Sequence, residues 1–231
     1  MPHALVVFDA YGTLFDVSAA ARRAAQAPGR AAFAAQHEDL ARIWREKQIG
    51  YSWWRAVTGA YTSFWQVTGD ALDYALAETG LNGDAELRAS LMDLYHRLEA
   101  YAEVSAVLGT LRRQKTRTAI LSNGSPDMLQ AATASAGIEE LFDAVLSVEA
   151  VGTFKPSARV YDLVGATFDV GPKDVLFVSS NGWDIAAAAG YGFDTAWVNR
   201  AGLPCDRLPH APMREIRDLT PVPAIAAENA A

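Results

Sequence analysis

Short apolar runs that recur at wide intervals constrain the fold of this chain more than any other feature. Each run is rich in Val, Ile, Leu and Phe without polar alternation, which is typical of strands buried on both faces of a parallel sheet. The runs are Ala4–Phe8, Thr118–Leu121, Ala144–Val148, Asp174–Val178 and Thr195–Val198, and the helical stretches between the later ones are Ser125–Ala136, Ser157–Phe168 and Trp183–Gly190. This alternation predicts an α/β fold with a Rossmann-like, doubly wound parallel sheet.

The segment between the first two runs follows a different pattern. From about Val17 to Glu99 it shows helical periodicity and no convincing strand. One apolar face holds Leu87, Leu91, Leu94, Tyr95 and Leu98, another holds Trp54, Val57, Tyr61, Phe64 and Trp65, and the expected helix breaks are Gly50, Gly69–Asp70 and Asn82–Gly83. We therefore predict a helical-bundle cap domain over residues 16–99, inserted into an α/β core domain formed by residues 1–15 and 100–231.

The last stretch of the chain, from about Leu203, contains several prolines and ends in an Ala-rich tail. Proline cannot donate to a helix or a sheet, so we expect this part of the core domain to be partly irregular and its tail to be partly disordered.

Composition excludes several classes of partner. The chain has 231 residues and a net charge of −7, which argues against nucleic acid or an anionic membrane surface as a partner. Cys205 is the single cysteine, so neither an intrachain disulfide nor a cysteine metal cluster is expected. The first residues lack the basic start of a signal peptide, and no apolar run approaches the length of a membrane span. We therefore expect a cytoplasmic protein.

Four of the predicted strands end in polar clusters. Ligands of an open parallel sheet bind beyond the carboxyl ends of its strands, so the fold would bring these clusters together. They are Asp9-Ala10-Tyr11-Gly12-Thr13, Ser122-Asn123-Gly124-Ser125, Gly152-Thr153-Phe154-Lys155-Pro156 and Ser179-Ser180-Asn181-Gly182-Trp183-Asp184.

Each cluster alone has a structural explanation. Asp9 could cap a helix, Ser-Asn-Gly is a common turn, a lysine before proline is usually solvated, and Asp184 could be a first-turn helix acid. Their conjunction at the same ends of four strands instead favours a catalytic site in which Asp9 is the nucleophile and Lys155 keeps it ionised.

In order and spacing, the clusters resemble the four motifs of the haloacid dehalogenase superfamily over nearly the whole chain. The first motif is commonly Asp-x-Asp-x-Thr, the second is represented by Ser122, the third by Lys155 and the fourth by the acidic loop Ser179–Asp184. The helical insertion matches the cap domain of that superfamily.

Two departures from the superfamily's phosphatases indicate a different reaction. Tyr11 stands where phosphatases carry the Asp that protonates the leaving oxygen, and Ser179-Ser180 replaces a Gly-Asp whose carboxylate holds magnesium. A halide leaving group needs no proton donor, and a singly charged substrate needs no metal to offset it. We therefore expect no metal and no cofactor.

Five strings resemble the (S)-2-haloacid dehalogenase branch of the superfamily. They are FDAYGTLFDV, WREKQ, ILSNG, FKP followed by Tyr161, and FVSSNGWD. The resemblance implies hydrolysis of short 2-haloalkanoic acids to (R)-2-hydroxy acids with inversion, through an ester on Asp9, with halide as the second product. It also implies a homodimer.

The resemblance further implies a set of site residues. The catalytic group is Asp9, Thr13, Arg45, Lys155, Tyr161, Ser179, Asn181 and Asp184; the substrate-binding group is Ala10, Tyr11, Ser122, Asn123, Ile49, Phe64 and Trp183. Arg45 and Asn123 would hold the halide, Thr13 and Ser179 would orient Asp9, and backbone N–H groups near Ala10 and Tyr11 would join Ser122 on the substrate carboxylate. Asn181 and Asp184 would place the hydrolytic water or hold Lys155.

Several alternatives remain open at this point. By sequence alone Arg42 or Arg55 would serve as well as Arg45, while Tyr161 and Phe64 could simply pack in the core. The functional alternatives are a magnesium-dependent phosphatase of the same superfamily and a catalytically silent binding protein with this fold.

Overall fold

The structure is a computed structural model that describes residues 2–17, 22, 25 and 31–228. The strands are β1 (Leu5–Phe8), β2 (Arg117–Ser122), β3 (Ala144–Ser147), β4 (Val175–Ser179), β5 (Asp194–Val198) and β6 (Arg214–Ile216). They form a parallel sheet in the order β3-β2-β1-β4-β5-β6. The predicted doubly wound α/β class is confirmed.

Helices lie between these strands and after the last of them. They are α1 (Ala31–Thr58), α2 (Phe64–Glu78), α3 (Ala85–Asp93), α4 (Val104–Arg113), α5 (Pro126–Ser135), α6 (Ala158–Phe168), α7 (Gly182–Tyr191) and α8 (Val222–Ala227). Among the described residues, no helix is both long enough and apolar enough to cross a membrane.

The five predicted strands are confirmed to within one residue at each end. β1 lies at the centre, where Val7 pairs with Ala119 of β2 on one side and with Phe177 of β4 on the other. All four residues of β1 are fully buried, which explains why its sequence is apolar without alternation.

Helices α1 to α3 and a short 3₁₀ turn lie between β1 and β2, as predicted for the insertion. The predicted breaks at Gly50 and Gly69 are wrong, because both glycines lie inside helices. Glycine in a helix costs only about 1 kcal/mol, which tertiary packing offsets. The chain instead turns at Gly59, which has a φ of 70°.

One of the two predicted apolar faces of the insertion is confirmed. Its members are buried apart from the half-buried Leu94. The other face is wrong, because the turn after α1 separates its members, and Trp54 and Val57 are 70% and 84% exposed.

The C-terminal stretch is more regular than predicted. β6 extends the sheet beside β5, and α8 follows it. Leu219, Val222 and Ile225 recur every three residues and are buried, which anchors α8 despite the prolines. The prediction of a partly disordered Ala-rich tail is wrong for residues up to 228, and residues 229–231 lie outside the described part of the chain.

Candidate active site

The site lies at the point where the strand order reverses. The chain crosses from β1 to β2 and β3 on one side and returns to β4 on the other, which opens a crevice at the carboxyl ends of β1 and β4. Asp9 follows β1 at this point, and its backbone N–H donates to Val178 O at 2.9 Å.

The Asp9 carboxylate is 7% exposed and accepts hydrogen bonds at both oxygens. Lys155 Nζ donates to Oδ1 at 3.2 Å. Thr13 Oγ1 and Asn181 Nδ2 each donate to Oδ2 at 3.0 Å. Fixed protein donors therefore orient a nearly dry carboxylate, as a carboxylate nucleophile requires.

Lys155 is itself held by a second carboxylate. Its Nζ donates to Asp184 Oδ2 at 2.8 Å, and Tyr161 Oη donates to the other oxygen of Asp184 at 2.7 Å. Both Asp184 oxygens accept hydrogen bonds from protein donors. Asp184 is therefore better suited to holding Lys155 in place than to positioning the hydrolytic water. Tyr161 also packs against Phe177 and Phe193. Its side chain therefore both hydrogen-bonds to Asp184 and packs in the core.

Burial and the neighbouring charges shift the pKa values of Lys155 and Asp184 in opposite directions. Burial lowers the pKa of Lys155, but Asp184 and Asp9 outweigh it and leave that pKa above its ordinary value. The ammonium therefore stays charged although it is only 1% exposed. Burial raises the pKa of Asp184, against the opposing effect of Lys155.

The first polar cluster forms a tight turn that brings Thr13 back to Asp9. Gly12 permits this turn with a φ of 84°, and a Cβ there would lie 3.1 Å from Ser180 Oγ. The Ser180 backbone N–H donates to Thr13 Oγ1 at 2.8 Å, which leaves the Thr13 hydroxyl hydrogen free to point at Asp9.

A narrow cavity opens onto Asp9 between the sheet and the helical insertion. The predicted site residues that line it are Asp9, Tyr11, Arg45, Ile49, Phe64, Ser122, Asn123, Lys155, Asn181 and Trp183. Ala10 is fully buried beside Asp9, and within the described chain the backbone N–H groups of Ala10 and Tyr11 have no hydrogen-bond partner. Phe64 both lines the cavity and belongs to the core, at 3% exposure.

The structure distinguishes the three candidate arginines. Arg45 alone of the three lines the cavity, and its Nη2 donates to Asn181 Oδ1 at 3.0 Å. Arg42 forms surface ion pairs with Asp39 and Glu46, and Arg55 pairs with Asp70 at 3.1 Å.

Ser179 does not have the predicted contact. Within the described residues its hydroxyl is not bonded to Asp9; it accepts from the Asn181 backbone N–H at 3.1 Å. β4 ends at Ser179, and the side chain bonds the following turn, which places Asn181 against Asp9. The expectation that Ser179 orients Asp9 directly is therefore wrong.

The second cluster presents donors to the cavity. Ser122 Oγ accepts from the Gly124 backbone N–H at 3.1 Å, so its own hydrogen remains available. Asn123 Oδ1 accepts from the Lys155 backbone N–H at 3.0 Å, which leaves the amide nitrogen of Asn123 as the group that can bind an anion.

Sequence reasoning missed Gln48 and Ser52, which also line the cavity. Gln48 is fully buried and its Oε1 accepts from Arg45 Nη1 at 2.8 Å. The signal was available, since residues three apart on a helix share a face.

No group of three or more His, Cys, Asp or Glu side chains among residues 2–17, 22, 25 and 31–228 could hold a metal ion. Lys155 Nζ instead lies between Asp9 and Asp184, 3.2 Å from the first carboxylate and 2.8 Å from the second.

The sequence is similar to that of known haloacid dehalogenases over most of its length. The sequence model of haloacid dehalogenase-like hydrolases matches residues 3–192. The chain is 41% identical over 220 residues to (S)-2-haloacid dehalogenase 1 of Pseudomonas sp. (strain CBS-3), covering 95% of this chain and 94% of that protein. It is 47% identical over 196 residues to (S)-2-haloacid dehalogenase of Xanthobacter autotrophicus, covering 84% of this chain and 74% of that one.

The fold is also similar to solved structures of L-2-haloacid dehalogenases. L-2-haloacid dehalogenase RSc1362 superposes with a TM-score of 0.91 at 42% identity, over 99% of this chain and 100% of that one. The Xanthobacter autotrophicus L-2-haloacid dehalogenase with chloropropionic acid covalently bound has a TM-score of 0.84 at 38% identity, over 96% and 98%.

Proposed function

This chain belongs to the haloacid dehalogenase-like hydrolases, and from that premise we propose that it hydrolyses the carbon–halogen bond of short (S)-2-haloalkanoic acids. The products are the (R)-2-hydroxy acid and halide. The observation that carries the proposal is the buried Asp9 carboxylate, which opens onto a cavity and is held by Lys155, Thr13 and Asn181. The relatives named above support the choice of substrate.

In the first step Asp9 attacks the halogen-bearing carbon. Oδ1 accepts one hydrogen bond whereas Oδ2 accepts two, so Oδ1 is the freer nucleophile. The new carbon–oxygen bond forms as the carbon–halogen bond breaks on the opposite side, which inverts the configuration. An ester on Asp9 and a halide ion result.

In the second step water attacks the carboxyl carbon of Asp9. Oδ2 is the carbonyl oxygen of the ester and gains negative charge as the tetrahedral intermediate forms. Thr13 and Asn181, both 3.0 Å from Oδ2, stabilise that charge as an oxyanion hole. The acyl–oxygen bond then breaks: one proton of the attacking water moves to the departing oxygen of the hydroxy acid, the other passes to solvent, and Asp9 is restored as a carboxylate.

Arg45 and the Asn123 amide nitrogen bind the departing halide in this proposal. Ser122 and the unpaired backbone N–H groups of Ala10 and Tyr11 bind the substrate carboxylate. The side chains of Tyr11, Ile49, Phe64 and Trp183 enclose the alkyl group, and exclusion of water from this cavity strengthens each electrostatic contact.

The proposed reaction uses no metal ion and no cofactor. Lys155 supplies the positive charge beside Asp9 that a metal would otherwise supply, and Asp184 with Tyr161 holds Lys155 in place. Tyr11 replaces the acid of a phosphatase, which suits a leaving group that takes no proton.

We also propose that residues 16–99 act as a cap domain over a core domain of residues 1–15 and 100–231.

We further propose that the protein works as a cytoplasmic homodimer. Exposed apolar side chains along one side of α1 support an interface: Trp53, Trp54 and Val57. If this face joins two copies, Trp54→Glu converts a dimer to a monomer in light scattering. Monomeric unmodified protein would contradict the proposal.

The proposed activity is tested by chloride release from each enantiomer of 2-chloropropionate in the presence of EDTA, with Asp9→Asn as the control. We expect release from the (S) enantiomer only, formation of (R)-lactate, and no release by the variant. Absence of release from both enantiomers, together with magnesium-dependent phosphatase turnover, would overturn the proposal.

A further inference from the structure

We propose that Gln48 is a positioning residue that aims Arg45 at the leaving halide while leaving the guanidinium charge uncompensated. This inference rests on the proposed function. Gln48 lies in α1, is fully buried, and has a hydrogen-bond partner at each of its side-chain polar atoms.

The hydrogen bonds around Gln48 allow only one orientation of its amide. Thr68 Oγ1 donates its hydrogen to Phe64 O at 2.7 Å, so toward Gln48 it can only accept. Gln48 Nε2 must therefore be the atom that faces Thr68, at 2.9 Å, and its second hydrogen goes to Tyr95 Oη at 3.0 Å. Gln48 Oε1 consequently faces Arg45 as an acceptor.

The Gln48 amide is neutral, so it can orient the Arg45 guanidinium without cancelling its positive charge. Arg45 donates to two amide oxygens, Gln48 Oε1 at 2.8 Å and Asn181 Oδ1 at 3.0 Å. Across the described chain it forms no ion pair with a carboxylate, unlike Arg42 and Arg55. Amide oxygens orient a guanidinium without neutralising it, so its full charge remains available to an anion in the cavity.

The same hydrogen bonds connect the insertion to the nucleophile. Asn181 uses its oxygen for Arg45 and its nitrogen for Asp9 Oδ2. A continuous path thus runs from Phe64 O through Thr68, Gln48 and Arg45 to Asn181 and Asp9. A shift of Gln48 would move the halide-binding cation relative to the attacking oxygen.

Gln48→Glu tests the inference, because it keeps the shape and the acceptor toward Arg45 but pairs Arg45 with a carboxylate; like Gln48→Met it gives up the hydrogen bond donated to Thr68, so the difference between the two variants reports the added charge. Gln48→Met removes the acceptor and adds no charge, and it serves if the first variant folds poorly. Gln130→Glu is the matched control, since Gln130 is exposed on α5. The readouts are kcat for (S)-2-chloropropionate and (S)-2-bromopropionate, and the chloride Kd from tryptophan fluorescence.

We expect Gln48→Glu to lower kcat at least tenfold on the chloro substrate and several-fold less on the bromo substrate, because bromide leaves more readily. Its chloride Kd rises at least tenfold, that of Gln48→Met rises less, and that of Gln130→Glu is unchanged. An unchanged chloride Kd in Gln48→Glu, or equal losses on both halides, overturns the inference. Chloride binding needs no turnover, so failure of the unmodified protein to release halide counts separately, against the proposed function.

Discussion

Lys155 Nζ lies 3.2 Å from Asp9 Oδ1 and 2.8 Å from Asp184 Oδ2, so a single buried ammonium is shared by two buried carboxylates. Asp9 and Lys155 lie in loops after β1 and β3, and Asp184 lies in the first turn of α7 after β4. They meet because the sheet is parallel and its order reverses at β1. The cluster carries a net charge of one negative unit, and donors from Thr13, Asn181 and Tyr161 offset part of its desolvation.

Replacing Lys155 with Met should destabilise the fold strongly. The change leaves two buried carboxylates without a cation, and breaking a buried ion pair in this way costs about 3–5 kcal/mol of unfolding free energy near neutral pH. As the pH falls Asp184 takes up a proton, because burial raises its pKa. The deficit should therefore shrink on acidification.

Denaturant unfolding at neutral and mildly acidic pH measures this effect. Lys173→Met is a matched control, because Lys173 is 68% exposed and pairs with Asp194 at 3.5 Å, a contact worth about 0–1 kcal/mol. Equal unfolding free energies for the two variants would argue against a structural role for the Lys155 ammonium.

The rate should remain flat on the alkaline side. Burial lowers the pKa of Lys155, but Asp184 and Asp9 raise it further, so the net pKa exceeds its ordinary value of 10.5. A group with a raised pKa keeps its proton to higher pH, and its stabilising charge is lost only as the pH rises through that raised value. Burial also raises the pKa of Tyr161 and Tyr11, so neither titrates earlier.

The measurement is kcat for (S)-2-chloropropionate from about pH 8 to about pH 10, with circular dichroism to confirm that the protein stays folded. No decline should appear over this interval, because the pKa of Lys155 lies above the ordinary lysine value of 10.5. A descending limb centred within it, in folded protein, would contradict a raised pKa for Lys155 in the working enzyme.

Gly124→Ala should push Tyr11 into the cavity. A Cβ at Gly124 would lie 2.8 Å from Tyr11 Oη and 2.9 Å from Tyr11 Cε2, which is too close for either atom to remain in place. The Tyr11 ring already stacks on Phe64 and meets Tyr95 edge to face, so the cavity is its remaining space. Overpacking of this kind costs about 1–3 kcal/mol of stability.

Steady-state kinetics with 2-chloropropionate and 2-chlorobutyrate test this prediction. We expect kcat/KM to fall roughly tenfold, and more for the longer substrate. Gly83→Ala is the control, because a Cβ there meets nothing within 4 Å. If the ratio of kcat/KM for 2-chlorobutyrate to kcat/KM for 2-chloropropionate is the same in the variant and the unmodified protein, Tyr11 does not border the alkyl group.

The positions of Asp9, Ser122 and Lys155 follow from sequence because strand ends are local signals. A buried strand is an apolar run, so the polar residues Asp9 and Ser122 at its end must lie at the sheet edge, and Lys155 lies in the loop that leaves the same edge after β3. β6 and α8 were missed for the converse reason, since three-residue and six-residue elements after several prolines have little local signal and are stabilised by packing on the rest of the fold.

The contacts of Arg45 and Ser179 could not be predicted from residues alone. Arg42, Arg45 and Arg55 all lie on α1, and which of them faces the cavity depends on how that helix is rotated against the sheet. Ser179 bonds the Asn181 backbone because of the turn after β4, and Thr13 reaches Asp9 through a turn that depends on Gly12. These are tertiary geometries that residue type does not specify.

In the proposed mechanism Asp9 forms an ester, and a single turnover in H₂¹⁸O with enzyme in excess over (S)-2-chloropropionate reveals whether it does. Mass spectrometry of the proteolysed protein and of the released acid locates the label. The mechanism predicts ¹⁸O in the peptide that contains Asp9 and unlabelled lactate from the first turnover, because water attacks the carboxyl carbon of Asp9. Label in the lactate, with none in that peptide, would mean that water attacks the substrate carbon directly and that Asp9 forms no ester.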